Sequence, residues 1–419
     1  MASVDEEVLY YKINKLLWRW KRQEGARVVR EASLSMDKAP PPLPAPPEPP
    51  VAEASAPKPP KLDPAEKLVD DIERIANAFS RFKTWLNTPE PPRPASPPKP
   101  VKKVETVPPF DIQEIPGAMR KEFMPISAKL MERWFAGRLN YSPTTEDEEK
   151  EINQVGKPYP PDMYDLTTVT LDWVLEFPRA KEKFDYLINK AIRSEGARKV
   201  LEDKFSRYKD KYDGAYKYRI LAIENSDLAK SNPTDLHRQF QFQRTMVDGT
   251  FGEKIALLLK ANLTNNGSPD DLTGALGSFN FYAAIATASI SWNTDAGRSK
   301  AEVTGIYVYA KDGYTFTDDE GARSQYLGHW SKDRVIVVPY DAAAEKISRL
   351  PYDEDVSIVA YSFDAPVAVG DISTKGNVHY PVYNSSFRQW AIKHQRGGDF
   401  IVYTDRRFVR VNPPLEIYL

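Results

Sequence analysis

Two short stretches carry the side chains best suited to chemistry. Gly328-His329-Trp330-Ser331-Lys332-Asp333-Arg334 reads as a turn that sets an imidazole near a carboxylate and two cations, which suits a general base or an anion-binding corner. His394 ends an apolar helical stripe, and Asp399 and Asp405 follow it across Gly397-Gly398, so a His and Asp pairing can form at that corner. The competing use of each histidine is structural: a satisfied turn group for His329, and a group on an apolar helix face for His394. His237 and His379 complete the set of four, and no two are spaced i, i+4 as in a helical metal site. Asp318-Asp319-Glu320 and Asp353-Glu354-Asp355 offer hard oxygen ligands but lack an EF-hand pattern and read first as solvated turns. No metal or other cofactor is expected. Arg406, Arg407 and Arg410 suit phosphate or carboxylate, or simply the outward face of alternating strands. The chain has no nucleophile elbow, phosphate loop, dinucleotide fingerprint or HExxH pattern. His329, Asp333, His394 and Asp399 are therefore weak catalytic candidates, and these residues leave open whether the protein is an enzyme.

The elements that must position these groups change character along the chain. From Gly277 onward, strand-length runs rich in β-branched and aromatic residues dominate: Phe279 to Trp292, Glu302 to Ala310, Arg334 to Val338, Val356 to Phe363, Phe400 to Thr404, Phe408 to Val411 and Leu415 to Tyr418. Two short helices interrupt them, Ala342 to Leu350 and Ser386 to His394, the second with Gly397 and Gly398 as its stop. Before Gly277 the signals are mainly helical. Ala118 to Leu139 places Leu130, Met131, Trp134 and Phe135 at helical spacing, and helices resume at Ala180. Interleaved basic and aromatic residues between Arg198 and Arg219 suit a single strand or a phosphate, but Glu202, Asp203, Asp210 and Asp213 favour a solvated helix. The expected class is α+β: N-terminal helical arms on Pro-rich linkers, a helical subdomain at 111–265, and a mostly antiparallel β-rich domain at 266–419, sandwich or open barrel.

About half of the 36 prolines fall between Pro40 and Pro100, where glycine is absent, and this composition favours extended polyproline II over a packed core. It divides the N-terminal region into a basic arm (1–35), a linker (36–62), an amphipathic helix (63–87) and a second linker (88–110). In that helix Leu68, Ile72, Ile75, Phe79, Phe82 and Leu86 form one stripe, with Asp63, Pro64 and Glu66 marking the start. Nothing beside the stripe in sequence can bury it, so it must meet the body or another chain. Residues 5 to 30 form a second amphipathic helix candidate, with Leu9, Ile13, Leu16 and Trp20 ringed by lysines and arginines. Both stripes are partner-binding candidates, and the basic arm also suits contact with a membrane surface.

Lys and Arg total 58 against 59 acidic residues, so no whole-molecule field exists to hold a polyanion, and nucleic acid is disfavoured as a partner. With no cysteine, disulfides, thiolate metal sites and cysteine nucleophiles are excluded. Asp5, Glu6 and Glu7 precede the first apolar residues, unlike a signal peptide, so cytoplasmic synthesis is expected. The longest weakly polar run, Phe279 to Trp292, is short of the roughly 20 residues a membrane-spanning helix needs.

Four stretches together resemble one family: Ile115-Pro116-Gly117-Ala118-Met119-Arg120 with Ser127-Ala128-Lys129-Leu130-Met131-Glu132-Arg133-Trp134-Phe135; Val169-Thr170-Leu171-Asp172-Trp173; Gly305-Ile306-Tyr307-Val308-Tyr309-Ala310-Lys311-Asp312 followed by Leu327-Gly328-His329-Trp330; and Tyr383-Asn384-Ser385-Ser386-Phe387-Arg388-Gln389-Trp390 through Gly397-Gly398-Asp399-Phe400. They resemble an uncharacterised domain family of proteobacteria, often encoded near type VI secretion genes, over about residues 115–419. The resemblance implies a secretion context and no particular reaction. On that basis the expected function is a type VI secretion-associated antibacterial effector, recruited through its N-terminal helices by a secretion spike, chaperone or adaptor and neutralised by an immunity protein. It would be cytoplasmic in the producer and secreted into a target cell. The alternatives are a non-enzymatic adaptor of the apparatus and a hydrolytic effector with its site in the β-rich domain.

Overall fold

Two strands of unusual length organise the protein. Residues 279–293 (β7) and 298–314 (β8) pair antiparallel along nearly their whole lengths. Ile306, Val308, Tyr309 and Ala310 of β8 are all buried, so both faces of the sheet are covered at its centre. A computed structural model describes residues 11–13, 20–22, 26–29, 32–43, 107–208, 220–250, 253–254, 256–257, 268–293, 297–318, 324–336 and 365–419. The N-terminal residues through Pro44 and Glu105–Leu419 belong to one compact unit.

Each long strand carries two partners along its outer edge. Leu221–Glu224 (β5) and Gln241–Val247 (β6) pair with different halves of β7. Phe400–Tyr403 (β13) and Arg407–Tyr418 (β14) do the same on β8, and Tyr164–Asp165 (β4) joins β13 in parallel. A second, antiparallel sheet runs Val335–Ile336 (β10), Tyr326–Trp330 (β9), Val378–Tyr383 (β12), Val367–Val369 (β11) and Ala26–Val28 (β3). The α+β expectation holds. Strands β5 and β6 lie inside the stretch read as helical, because their alternating pattern is short and only pairing with β7 makes them strands.

Helices cover the sheets. Ile115–Lys121 (α1) and Pro125–Ala136 (α2) replace the single helix expected over Ala118 to Leu139. The break falls at Phe123, whose φ of 60° leaves the helical region, and Pro125 then opens α2. Thr145–Glu149 (α3), Leu171–Leu175 (α4), Pro178–Asn189 (α5), Glu195–Ser206 (α6), Ser226–Ser231 (α7), Pro233–Phe240 (α8), Asp271–Leu276 (α9) and Asn384–His394 (α10) are further α-helices among the described residues. On α6, Leu201 and Phe205 are buried while Arg198 pairs with Glu202 and Lys199 with Glu195, as a solvated helix requires.

An aromatic cluster lies where α2 meets α10. Trp134 is fully buried and meets Phe135, Phe316, Phe387 and Trp390 with ring centroids between 4.9 and 5.7 Å apart. The crossing explains Gly397 and Gly398. Helix α10 is stopped by Gln395 in the left-handed region (φ 52°), whereas a Cβ on Gly397 would sit 2.7 Å from the Trp134 ring and one on Gly398 would sit 2.9 Å from the Arg138 carbonyl. The glycines permit close approach; they are not the expected helix stop.

The N-terminal segment differs from the sequence reading. Tyr11–Ile13 (β1) and Trp20–Arg22 (β2) pair antiparallel with Ile13 opposite Trp20, and β3 extends the edge of β11. The described parts of 5–30 are thus extended, not helical; backbone pairing overrides a helical stripe that has no local partner. Residues 32–43 then strap across the body. Asp111 accepts bonds from the Ser35 hydroxyl and from the Asp37 and Lys38 amides. Leu9 and Leu16, the stripe Leu68, Ile72, Ile75, Phe79, Phe82 and Leu86, the helix Ala342 to Leu350 and the strand Val356 to Phe363 lie outside the described residues.

Replacing Trp134 with Phe keeps most of the ring packing but removes the indole N–H. We expect Trp134→Phe to cost about 1–3 kcal/mol and Trp134→Ala about 3–5 kcal/mol, read by urea denaturation of the full chain. Equal stability of all three proteins would contradict this packing.

Candidate functional site

The described catalytic candidates are each engaged in structure and do not converge, while Asp319, Glu320, Asp353, Glu354 and Asp355 lie outside the described residues. His329 is buried on β9, where Nδ1 shares a 2.5 Å hydrogen bond with the Tyr326 hydroxyl and Nε2 lies 3.2 Å from the Ala365 carbonyl. Asp333 instead meets Lys121 at 2.5 Å, and that contact holds its carboxylate below the usual range. His394 Nε2 bonds the Met36 carbonyl at 2.7 Å, next to a Lys393 to Asp37 ion pair, so it fastens the N-terminal strap. Asp405 accepts the Leu171 amide at the start of α4. Neither His and Asp pairing forms. Arg407 pairs with Asp172, and Asp318 accepts the Gln325 amide. Among the described residues no group of three or more His, Cys, Asp and Glu is arranged to hold a metal ion.

Asp399 is fully buried and joins two helices to the sheet. Its carboxylate accepts from Trp134 Nε1 at 2.8 Å and from Arg388 at 2.7 Å. Burial pushes its pKa up despite the arginine. Burial raises Glu148 as well, with the Thr315 hydroxyl bonded at 3.0 Å and Asp399 nearby as a like charge. Asp312, on β8, is held well above the usual carboxylate range by burial and then by Glu148. A belt of acids that retain protons more readily than usual therefore runs beside β13.

A different histidine sits where polar groups converge. The sheet register places Arg244 of β6 opposite Tyr282 of β7, Tyr282 opposite Tyr309 of β8, and Tyr403 of β13 opposite Lys311 of β8. This cross-strand row passes beneath α8. The helix begins with Asn232 capping the Asp235 amide and Pro233 in its first turn, and it buries Leu236 and Phe240. That anchoring sets His237 over the row: Nδ1 shares a 2.9 Å hydrogen bond with the Tyr309 hydroxyl, and the imidazole packs edge-on against Tyr282 at 4.7 Å. Burial, with Lys311 and Lys204 adding to it, lowers the His237 pKa to about 3, so the imidazole is neutral at ordinary pH. Lys311 bonds Glu151 at 2.8 Å, and the Tyr164 hydroxyl donates to the same carboxylate at 2.7 Å. Tyr403 is fully buried, and among the described residues its hydroxyl closes no hydrogen bond, with Thr234 nearby.

This arrangement provides hydrogen bonding without a strong base. A neutral imidazole tied to a phenol offers one further nitrogen, and the surrounding tyrosines are held as phenols because burial raises Tyr164, Tyr282, Tyr309 and Tyr403. Sequence reasoning missed His237 because a lone histidine in a charged helix looks ordinary. The recoverable signal was the alternation of Tyr307, Tyr309 and Lys311, with Tyr309 and Lys311 falling on one face of β8.

The His237 shift has a consequence for acid stability. Its folded pKa of about 3 lies below the ordinary value of 6.5, so the unfolded chain binds the additional proton between these values. Its contribution is complete above about pH 6.5 and is lost progressively as pH falls towards about 3. In denaturation curves at pH 4, 5, 6 and 7, His237→Gln should show a flatter dependence than the wild type; parallel curves would refute the shift.

A family of unknown function, DUF6402, matches residues 110–419. No curated protein and no solved structure matches the chain. The matched region contains strands β4 to β14 and the polar cluster around His237, while β1, β2, β3 and the strap at 32–43 lie before it. The chain belongs to the DUF6402 family.

Proposed function

We propose that the protein is a type VI secretion-associated antibacterial effector, recruited through its N-terminal region and acting through the polar cluster around His237. The observation that carries this reading is the division of labour in the chain. A Pro-rich stretch whose sequence carries one amphipathic stripe, Leu68 to Leu86, precedes a body with a large core and a converging set of polar side chains around His237. A tethered apolar helix is a low-cost means of recruitment to a spike, chaperone or adaptor. The motif resemblance in the body supplies the secretion context. Among the described residues no helix is long and apolar enough to cross a membrane, consistent with cargo that carries no helical membrane span.

Expression of the full chain in a susceptible bacterium, directed separately to cytosol and periplasm, tests the reading. Growth arrest in one compartment, relieved at least tenfold in viable count by Tyr403→Phe or Lys311→Met, is expected. Harmlessness in both compartments would favour an adaptor instead. Removing residues 45–104 should leave the body intact while abolishing capture of a spike or adaptor protein from the same secretion locus; undiminished capture would refute recruitment through the stripe.

A further inference from the structure

The N-terminal strap is held the way a bound peptide is held. Residues 26–29 and 32–39 meet three parts of the body: the edge of β11, the segment 110–113 ahead of α1, and the end of α10. Strand β3 lies along β11 in antiparallel register, with Val28 opposite Val367 and Ala26 opposite Val369, and the Val29 amide donates to the Pro366 carbonyl at 2.9 Å. Further along, Ser35 uses both of its backbone groups: its amide donates to the Phe110 carbonyl at 2.9 Å and its carbonyl accepts from the Ile112 amide at 3.0 Å. Among the described strands β11 has only β12 on its other side, so without β3 it is a sheet edge of the kind that accepts an added strand.

Side chains of the body reach for the backbone of the strap. Three of the four hydrogen bonds into the buried Asp111 carboxylate come from the strap, through the Ser35 hydroxyl at 2.9 Å, the Asp37 amide at 2.9 Å and the Lys38 amide at 3.0 Å; the fourth comes from the Gln113 amide. The Gln113 side chain donates to the Lys38 carbonyl at 2.6 Å, His394 Nε2 bonds the Met36 carbonyl at 2.7 Å, and Lys393 pairs with Asp37 at 2.6 Å. Between these polar contacts Val29, Ala32, Leu34 and Met36 pack against the core. A buried carboxylate stripped of its donors is costly, so this surface favours being filled. Its walls all lie within the family match at 110–419, whereas the occupant lies before it, separated in sequence by Ala45–Val104.

We propose that the family domain carries a docking groove for an extended peptide, walled by the β11 edge, residues 110–113 and the end of α10, and that residues 26–39 are a separable ligand for it built into the same chain. Backbone pairing supplies attachment that tolerates many sequences. Selectivity falls to the alternation Leu34-Ser35-Met36-Asp37, whose apolar members pack on the core while Ser35 and Asp37 meet Asp111 and Lys393. The long connection through Ala45–Val104 makes docking an intramolecular binding equilibrium, with an effective concentration set by the length of that connection.

The inference goes beyond the effector reading and is tested without any toxicity measurement. A protease recognition sequence is inserted after Pro60 of the full chain, and the purified protein is cut in its native state at pH 7 and micromolar concentration, then passed over a sizing column. The N-terminal fragment should co-elute with the body. An excess of a synthetic peptide of residues 26–43 should release it and leave the body folded by circular dichroism, while the same peptide carrying Leu34→Asp should release at least tenfold less. Leu34→Asp in the chain itself, and Asp111→Asn in the groove, should each speed loss of the fragment at least tenfold; the first leaves every groove residue in place and so reports on docking alone. Immediate separation of the wild-type fragment from a folded body, or equal retention of the wild-type and Leu34→Asp fragments, would overturn the proposal. Unfolding of the body when the fragment is displaced would also overturn it, by showing an integral strand in place of a ligand.

Discussion

The shared register of β7 and β8 is the constraint on which the rest of the structure depends. Strands of 15 and 17 residues are far longer than the typical five or six, and each can therefore support two shorter partners on its outer edge. Continuity over that length requires relief of twist, supplied by irregularities between Ile285 and Ala288 on β7 and between Arg410 and Leu415 on β14. Since side chains alternate between faces, a slip of one residue in β8 would carry Tyr309 and Lys311 to the opposite side of the sheet. The polar cluster around His237 exists only in this register.

Buried polar groups divide the molecule into saturated and open regions. Asp165 accepts from the Thr167 and Thr168 amides, the Thr168 hydroxyl and Arg133, which fixes the loop after β4. Asp271 accepts from the amides of Ile126 and Ser127 and so holds the start of α2 against α9. Asp399 ties Trp134 and Arg388 together. Such carboxylates are held by several donors, and removing one donor leaves a buried charge exposed to the full desolvation penalty. Around His237 the imidazole meets the Tyr309 hydroxyl and Lys311 shares Glu151 with Tyr164, while the Tyr403 hydroxyl closes no hydrogen bond among the described residues.

The N-terminal strap changes how the body is bounded. It lies outside the family match, yet β3 pairs with β11, Ser35 bridges to Asp111, and His394 binds Met36. Strap and family domain are thus joined both by backbone pairing and by side chains of the family domain, Asp111, Lys393 and His394.

The long, strongly periodic elements were legible in the sequence. The apolar spacing of Trp134 and Phe135, the β-branched runs of β7 and β8, and the stripe through Phe387 and Trp390 each report burial on one face, and local pattern is enough to reveal that. The absence of cysteine and the near-balance of charge likewise excluded whole classes of chemistry. Short strands such as β5, β9 and β12 were not legible, because four to six residues acquire strand identity from the neighbour they pair with. The site was decided by tertiary structure alone. His237 is separated from Tyr309 by 72 positions and Tyr309 from Tyr403 by a further 94, and only the sheet register and the seat of α8 bring them together. Sequence set which residues must be buried; the fold set which of them meet, since proximity across strands depends on register and not on spacing along the chain.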